Sequence, residues 1–124
     1  MSAGLWVALG AVGAVGATAR YLLDAVVDAR TGGLFPYGTL VVNLAGSLVF
    51  GVVSGLVLYH AFPSTPRILL GTGLCGSFTT FSTLCLETVA LASEGERGAA
   101  LLNLTASLAG GLAAAAAGLA LAAL

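Results

Sequence analysis

Small polar side chains interrupt an otherwise apolar chain at three places, and their types and spacing suggest a neutral binding surface. The longest interruption is GLCGSFTTFSTL, residues 73–84, which combines glycines, hydroxyls and two phenylalanines without a charged residue. Amides, hydroxyls and aromatic ring edges present weak positive dipoles, which attract an anion without trapping it. Two further sets recur at intervals of four residues, so each lies on one face of a helix: Thr39, Asn43 and Ser47 in one set, and Asn103, Ser107 and Gly111 in the other.

Each polar set allows two interpretations. Buried amides and hydroxyls need partners in an apolar medium, so the two helical faces either bond to each other or line a narrow, uncharged path. The hydroxyls of residues 73–84 either bond to their own helix, which then bends slightly, or accompany a broken helix whose freed carbonyls bind a cation. Phe78 and Phe81, three residues apart, are expected to share a helix face.

Composition excludes a water-soluble domain. Hydrophobic residues make up 59% of the 124 positions and charged residues 7%, and the mean hydropathy is +1.08. A soluble domain is commonly about a quarter charged, so the solvent of this chain must be a bilayer. The net charge of −1 and the lack of a basic cluster indicate no nucleic-acid partner. The sequence has no catalytic triad, metal-ligand cluster or phosphate loop, so we expect no enzyme.

Four segments are long enough to cross a membrane, at about 3–25, 37–59, 67–92 and 98–124. Short connections join them, with prolines at the boundaries, so we expect one four-helix domain over residues 1–124. Small residues four apart in the second span, such as Gly51 and Gly55, favour close helix contact. The first span has a similar set, Gly10, Gly13, Gly16 and Ala17.

The arginines hardly distinguish the two sides of the membrane. Arg67 lies on the side of the termini, whereas Arg30 and Arg97 lie on the other side. Because Lys/Arg imbalance sets orientation, this chain either inserts one way with a weak signal or inserts both ways and forms an antiparallel pair. Arg20 and Asp24, one turn apart near the end of the first span, are expected to form a structural ion pair.

Four stretches, in order, resemble the small fluoride channels of the Fluc (CrcB-type) family. They are GATARYLL (16–23), FPYGTLVVNLAGSLVFG (35–51), GTGLCGSFTTFSTL (71–84) and NLTASLAGGL (103–112). The resemblance implies an all-α membrane protein with four transmembrane helices, the third broken near the midplane. It also implies a dual-topology, antiparallel dimer that lets fluoride leave the cell passively through the inner or plasma membrane and so relieves fluoride toxicity.

The resemblance also implies roles for particular residues. The pore-lining amide falls on Asn43, the first phenylalanine of an aromatic pair on Phe81, and a fourth-helix hydroxyl on Ser107; we expect Thr39 and Thr83 to line the same path. A structural sodium ion at the dimer interface is expected on the backbone carbonyls of Gly76 and Thr79, contributed by both chains. Arg20 and Glu87 match residues near the pore ends and are candidates for the pore mouth.

One position departs from the family pattern. The family usually has FSTF where this chain has FSTL, so Leu84 replaces the second phenylalanine. Either the homodimer conducts with half of its aromatic lining, or a homologous chain supplies the missing ring in a heterodimer, of which this chain would be a non-conducting half. The rival class is a small antiparallel-dimer multidrug or cation exporter, which needs an ionisable residue inside its first span; the first 19 residues contain none.

Overall fold

A computed structural model describes residues 1–124 and contains four helical spans and no strand. They are α1 (Ala3–Thr31), α2 (Tyr37–His60), a third span over Ser64–Ser93, and α6 (Arg97–Ala122). Each span is long and apolar enough to cross a membrane, with mean hydropathies from 1.4 to 2.2. The prediction of an all-α protein with four membrane-spanning segments is therefore confirmed.

The third span is not one continuous α-helix. It consists of α3 (Ser64–Arg67), a π-helical segment (Ile68–Cys75), α4 (Gly76–Phe78) and α5 (Ser82–Ser93). Residues 79–81 are not helical: Thr79 has φ −79° and ψ 156°, an extended conformation. The interruption lies at the centre of the span, so the alternative of an ordinary, slightly bent helix is wrong.

The ends of the spans differ from the sequence-based bounds, most of all in α1. Residues 28–31, expected in a turn, continue this helix to Thr31. The chain turns instead at Gly32, whose φ of 58° favours glycine and whose N–H donates to the Asp28 carbonyl. The Asp28 side chain also accepts a hydrogen bond of 3.1 Å from the Gly38 N–H. The extra turns of α1 therefore bring a carboxylate to the start of α2.

The most extensive helix contact joins α2 and α6. The two helices run parallel, and residues 44–55 of α2 meet residues 110–122 of α6 in the same order. A Cβ at Gly51 would collide with the backbone of Ala115, and one at Gly118 with the Leu48 carbonyl. Small residues therefore allow two backbones to touch, which is how helices associate in lipid. In α1 the close contact is at Gly16, where an added Cβ would collide with the Ser77 side chain and the Leu74 carbonyl. Within one chain Gly10 and Gly13 make no such contact, since only atoms of their own helix turn lie within 4 Å of an added Cβ.

Candidate functional site

Asn43 on α2 holds the interruption of the third span by two hydrogen bonds. Its Nδ2 donates to the Thr80 carbonyl and its Oδ1 accepts from the Thr80 N–H, each at 2.8 Å. An amide is the side chain that can satisfy an N–H and a C=O of one residue at once. Asn43 therefore replaces the helical partners that Thr80 lacks, and one of its two Nδ2 protons remains uncommitted.

The interruption frees the carbonyls of Gly76 and Thr79. In a continuous α-helix, the Thr80 N–H would donate to Gly76 and the Thr83 N–H to Thr79. The Thr80 N–H donates to Asn43 instead, and the Thr83 N–H donates to the Thr80 hydroxyl at 3.2 Å. Two carbonyl oxygens near the centre of the span are thus left without their helical donors.

A cavity of about 400 Å³ lies beside the interruption and is open on one side of the chain. It contains no charged residue, and its walls come from α2, the third span and α6. The lining residues are Asn43, Gly46, Ser47, Phe50, Gly71, Cys75, Gly76, Thr79, Thr80, Phe81, Leu84, Ser107, Leu108 and Ala115. The cavity therefore brings together seven positions singled out from the sequence: Asn43, Ser47, Gly76, Thr79, Phe81, Leu84 and Ser107.

The two polar faces oppose each other across the α2–α6 contact. An added Cβ at Gly110 would meet Leu44, one at Gly111 would meet Ser47, and one at Gly118 would meet Leu48 and its neighbours. One turn before Ser47 and Gly111, this parallel register puts Asn43 level with Ser107. The interpretation that the two faces bond to each other is wrong, because Asn43 bonds to Thr80 and Asn103 bonds to Thr88.

Several buried polar atoms near this register have no partner. Ser107 is 7% exposed and its hydroxyl makes no hydrogen bond. Asn103 is completely buried; its Nδ2 donates to the Thr88 hydroxyl at 3.0 Å, but its Oδ1 is unpaired. Unpaired buried polar atoms cost about 1–3 kcal/mol each, so these two atoms are candidates to contact an ion, a water molecule or a second chain.

Two predicted path residues lie outside the cavity. Thr39 is 2% exposed, with an unpaired hydroxyl, and lies two turns before Ser47. The Thr83 hydroxyl accepts a hydrogen bond of 3.1 Å from the Thr80 hydroxyl, which places it in the network that caps α5. Neither hydroxyl therefore lines the cavity beside Asn43 within one chain, and their place on the fluoride path stays a prediction.

The predicted pore-mouth residues also lie away from the cavity. Glu87 lines a separate cavity of about 190 Å³ together with Asp28 and the loop between α1 and α2. Its Oε1 is buried without a partner, as are Arg20 Nε and Asp24 Oδ1. The predicted pairing of Arg20 with Asp24 is absent. The carboxylates of Asp24, Asp28 and Glu87 therefore lie near one end of the spans, and no arginine forms a direct ion pair with them.

The aromatic and aliphatic residues at the interruption have different environments. The Phe81 side chain is 67% exposed, whereas Leu84, one turn later, is 3% exposed. Phe78 lies before the interruption and lines a different, apolar cavity with Gly46. The prediction that Phe78 and Phe81 share a helix face is wrong, because the extended Thr79 between them changes the direction of the backbone.

Sequence reasoning missed the central role of Thr80. Its backbone bonds to Asn43 and its hydroxyl caps α5, although only its neighbours were singled out. The available signal was Asn43 itself, since an amide in an apolar helix needs a partner with both a donor and an acceptor. Position 80 could not be chosen from the sequence because the two residues lie 37 positions apart.

Four apolar spans around a neutral polar cavity define a small multi-pass membrane protein. Comparison with known families gives the chain its place: the model of the family described as "CrcB-like protein, Camphor Resistance (CrcB)" matches residues 5–119, and the chain belongs to that family.

Similar proteins in several bacteria carry a more specific name. The fluoride-specific ion channel FluC 1 of Symbiobacterium thermophilum is 45% identical over 118 residues, which are 94% of this chain and 95% of that protein. The fluoride-specific ion channel FluC 2 of Mycobacterium bovis is 39% identical, over 93% of this chain and 88% of its own length. The fluoride-specific ion channel FluC of Magnetococcus marinus is 46% identical over 83% of each chain.

Proposed function

We propose that this protein is a fluoride-selective channel through which fluoride leaves the cytoplasm down its electrochemical gradient. The observation that carries the proposal is the uncharged cavity, in which Asn43, Ser107 and Phe81 surround a helix interruption. The names of the relatives, all fluoride-specific ion channels, point to the same ion. We further propose that conduction protects the cell from fluoride and that the membrane is the inner or plasma membrane.

The cavity offers the kind of ligands that a small, strongly hydrated anion requires. A selective path must replace water with closely spaced hydrogen-bond donors. The uncommitted Nδ2 proton of Asn43 and the unpaired Ser107 hydroxyl can each donate to fluoride. The edge of the Phe81 ring adds a weak positive potential. None of these groups carries a full charge, so the anion is stabilised but not held.

We propose that the conducting unit is an antiparallel dimer of this chain. The cavity is open on one side, and a polar surface facing hydrocarbon would lack hydrogen-bond partners. A second copy would cover the opening and the exposed Phe81 ring. The nearly balanced arginines support insertion in both orientations, which an antiparallel pair requires.

The freed carbonyls of Gly76 and Thr79 suit the proposed structural sodium ion. A hard cation takes oxygen ligands, and unwound backbone carbonyls are a common source of them inside membranes. Both residues line the open cavity, where a second chain would bring an equivalent pair. Bound sodium would supply local positive charge; the chain's own contribution is to keep the interruption open through the Asn43–Thr80 hydrogen bonds.

Fluoride release from liposomes that contain this chain alone tests the channel proposal. We expect valinomycin and a potassium gradient to drive rapid release at a fluoride electrode, with chloride retained in a parallel assay. No release from a correctly folded dimer would contradict the homodimeric channel; release restored by a homologous chain would identify this chain as the non-conducting half of a heterodimer. Release coupled to a proton gradient would instead favour the exporter.

Sodium dependence requires its own measurement. Protein purified and reconstituted with N-methylglucamine in place of sodium is expected to lose dimer stability on a sizing column and to lose flux. Millimolar sodium is expected to restore both. Equal behaviour in the two salts would contradict a structural sodium site without affecting the fluoride proposal.

A further inference from the structure

Ser47 lines the same cavity as Asn43, one helical turn further along α2 on the same polar face, and the proposed fluoride ligands do not include it. Its hydroxyl makes no hydrogen bond within the chain, whereas seven other hydroxyls donate to the carbonyl four residues before them. Those that do so are Thr18, Thr31, Ser77, Thr79, Thr88, Ser93 and Thr105. A hydroxyl that forgoes this local bond is available to the cavity.

The facing position on α6 is a glycine. A Cβ built on Gly111 would lie 3.5 Å from the Ser47 hydroxyl, with no other atom within 4 Å apart from its own helix turn. The polar repeat Asn103, Ser107, Gly111 thus loses its side chain at the level where Ser47 stands on the opposite helix. Between the facing positions of α2 and α6, the hydroxyl at this level is that of Ser47.

We infer that the Ser47 hydroxyl is a further fluoride-contacting residue, forming the next donor after the Asn43 and Ser107 level. A hydroxyl at position 111 of α6 would face the same level of the cavity, so the Ser47 hydroxyl on α2 takes its place as hydrogen-bond donor. This inference rests on the proposed fluoride channel. The two levels lie one helical turn apart, about 5–6 Å, so that an ion leaving Asn43 reaches a new donor before it loses the old one.

The test moves the hydroxyl across the cavity. Three variants are reconstituted and assayed for fluoride release: Ser47→Ala, Ser47→Ala combined with Gly111→Ser, and the control Ser54→Ala. Ser54 lies on the same helix but lines another cavity, with Arg67. We expect Ser47→Ala to slow fluoride release on the order of tenfold, since one donor is lost, and the control to match the wild type. The double variant is expected to recover most of the rate.

The outcomes separate this inference from the channel proposal. A wild type without flux contradicts the channel itself. Wild-type rates in Ser47→Ala, from a protein that elutes as the wild type does, overturn the role of Ser47. If Ser47→Ala aggregates, the double variant decides: normal elution with wild-type flux supports the inference, and normal elution without flux overturns it.

Discussion

At the scale of single residues, Asn43 holds the backbone of Thr80 and, in the proposed channel, also binds the anion. One Nδ2 proton and Oδ1 hold the Thr80 backbone, and the second Nδ2 proton is free for an anion in the cavity. The two tasks are linked, because the same bonds that open the third span also orient the amide. The interruption and the anion ligand therefore depend on one side chain.

Replacing Asn43 with leucine is expected to abolish fluoride release and to lower stability. The N–H and C=O of Thr80 lose their partners, and each unpaired buried group costs about 1–3 kcal/mol. Flux from liposomes and thermal unfolding in detergent measure the two effects. Thr18→Val is the control, because Thr18 is exposed and its hydroxyl bonds only to its own helix. Wild-type flux in Asn43→Leu would remove Asn43 from the path, and loss of the dimer on a sizing column would reveal a packing role.

Leu84 is where an aromatic side chain is expected from the family pattern, and it is buried against the cavity. The variant Leu84→Phe is expected to speed fluoride release by roughly two- to fivefold, equivalent to about 0.5–1 kcal/mol, because a ring edge replaces an aliphatic surface. The added ring can extend into the cavity. Release rates at equal protein density measure the effect, and Leu91→Phe, a buried change outside the cavity, is the control. An unchanged or slower rate would show that leucine is sufficient.

At the scale of helices, the contact between α2 and α6 sets the width of the path. Gly51 and Gly118 allow the two backbones to touch. The polar faces of α2 and α6 lie before these glycines in the sequence, on the same sides of the two helices. Any change that separates the helices at the glycines also separates Asn43 from Ser107. Helix packing and the geometry of the cavity are thus coupled.

The variant Gly51→Ala is expected to destabilise the protein by about 1–3 kcal/mol, because the new methyl group overlaps the Ala115 backbone. Gly10→Ala is the matched control: nothing outside its own helix turn lies within 4 Å of the added methyl group, and alanine favours the helix by up to about 1 kcal/mol. Thermal unfolding in detergent measures both. Equal melting temperatures for Gly51→Ala and the wild type would show that α2 and α6 can separate without cost.

Local signals predicted the elements, whereas long-range contacts decided the site. Hydropathy indicated the four spans, and the glycines and hydroxyls of residues 73–84 indicated an unusual third helix. Thr39 and Thr83 were expected on the fluoride path, but neither lines the cavity beside Asn43, because their surroundings depend on how α5 packs against its neighbours. The two hydrogen bonds between Asn43 and Thr80 likewise depend on a contact between residues that are distant in the sequence. Helical periodicity identifies the face of a residue but not its partner.

At the scale of the whole molecule, the proposed dimer depends on a membrane orientation that is almost undecided. Arg67 opposes Arg30 and Arg97, and there is no lysine. Because short-loop Lys/Arg residues set orientation, changing one or two of these charges is expected to fix it. Leu34 is 53% exposed in the loop between α1 and α2, and Thr65 is exposed on the opposite side. These two positions allow the orientation to be biased either way.

Leu34→Lys raises the imbalance to three cations against one, whereas Thr65→Lys combined with Arg30→Gln reverses it to one against two on the side of Arg67. The two variants are expected to insert in opposite orientations. An antiparallel dimer needs both, so cells that produce either variant alone are expected to become fluoride-sensitive, whereas cells that produce the two together resist fluoride as the wild type does. Growth in fluoride measures this, and co-production of two copies of Leu34→Lys controls for dosage. Full resistance with either variant alone would contradict the antiparallel arrangement. Sensitivity even when both are produced would show that the substitutions damage the fold rather than its orientation.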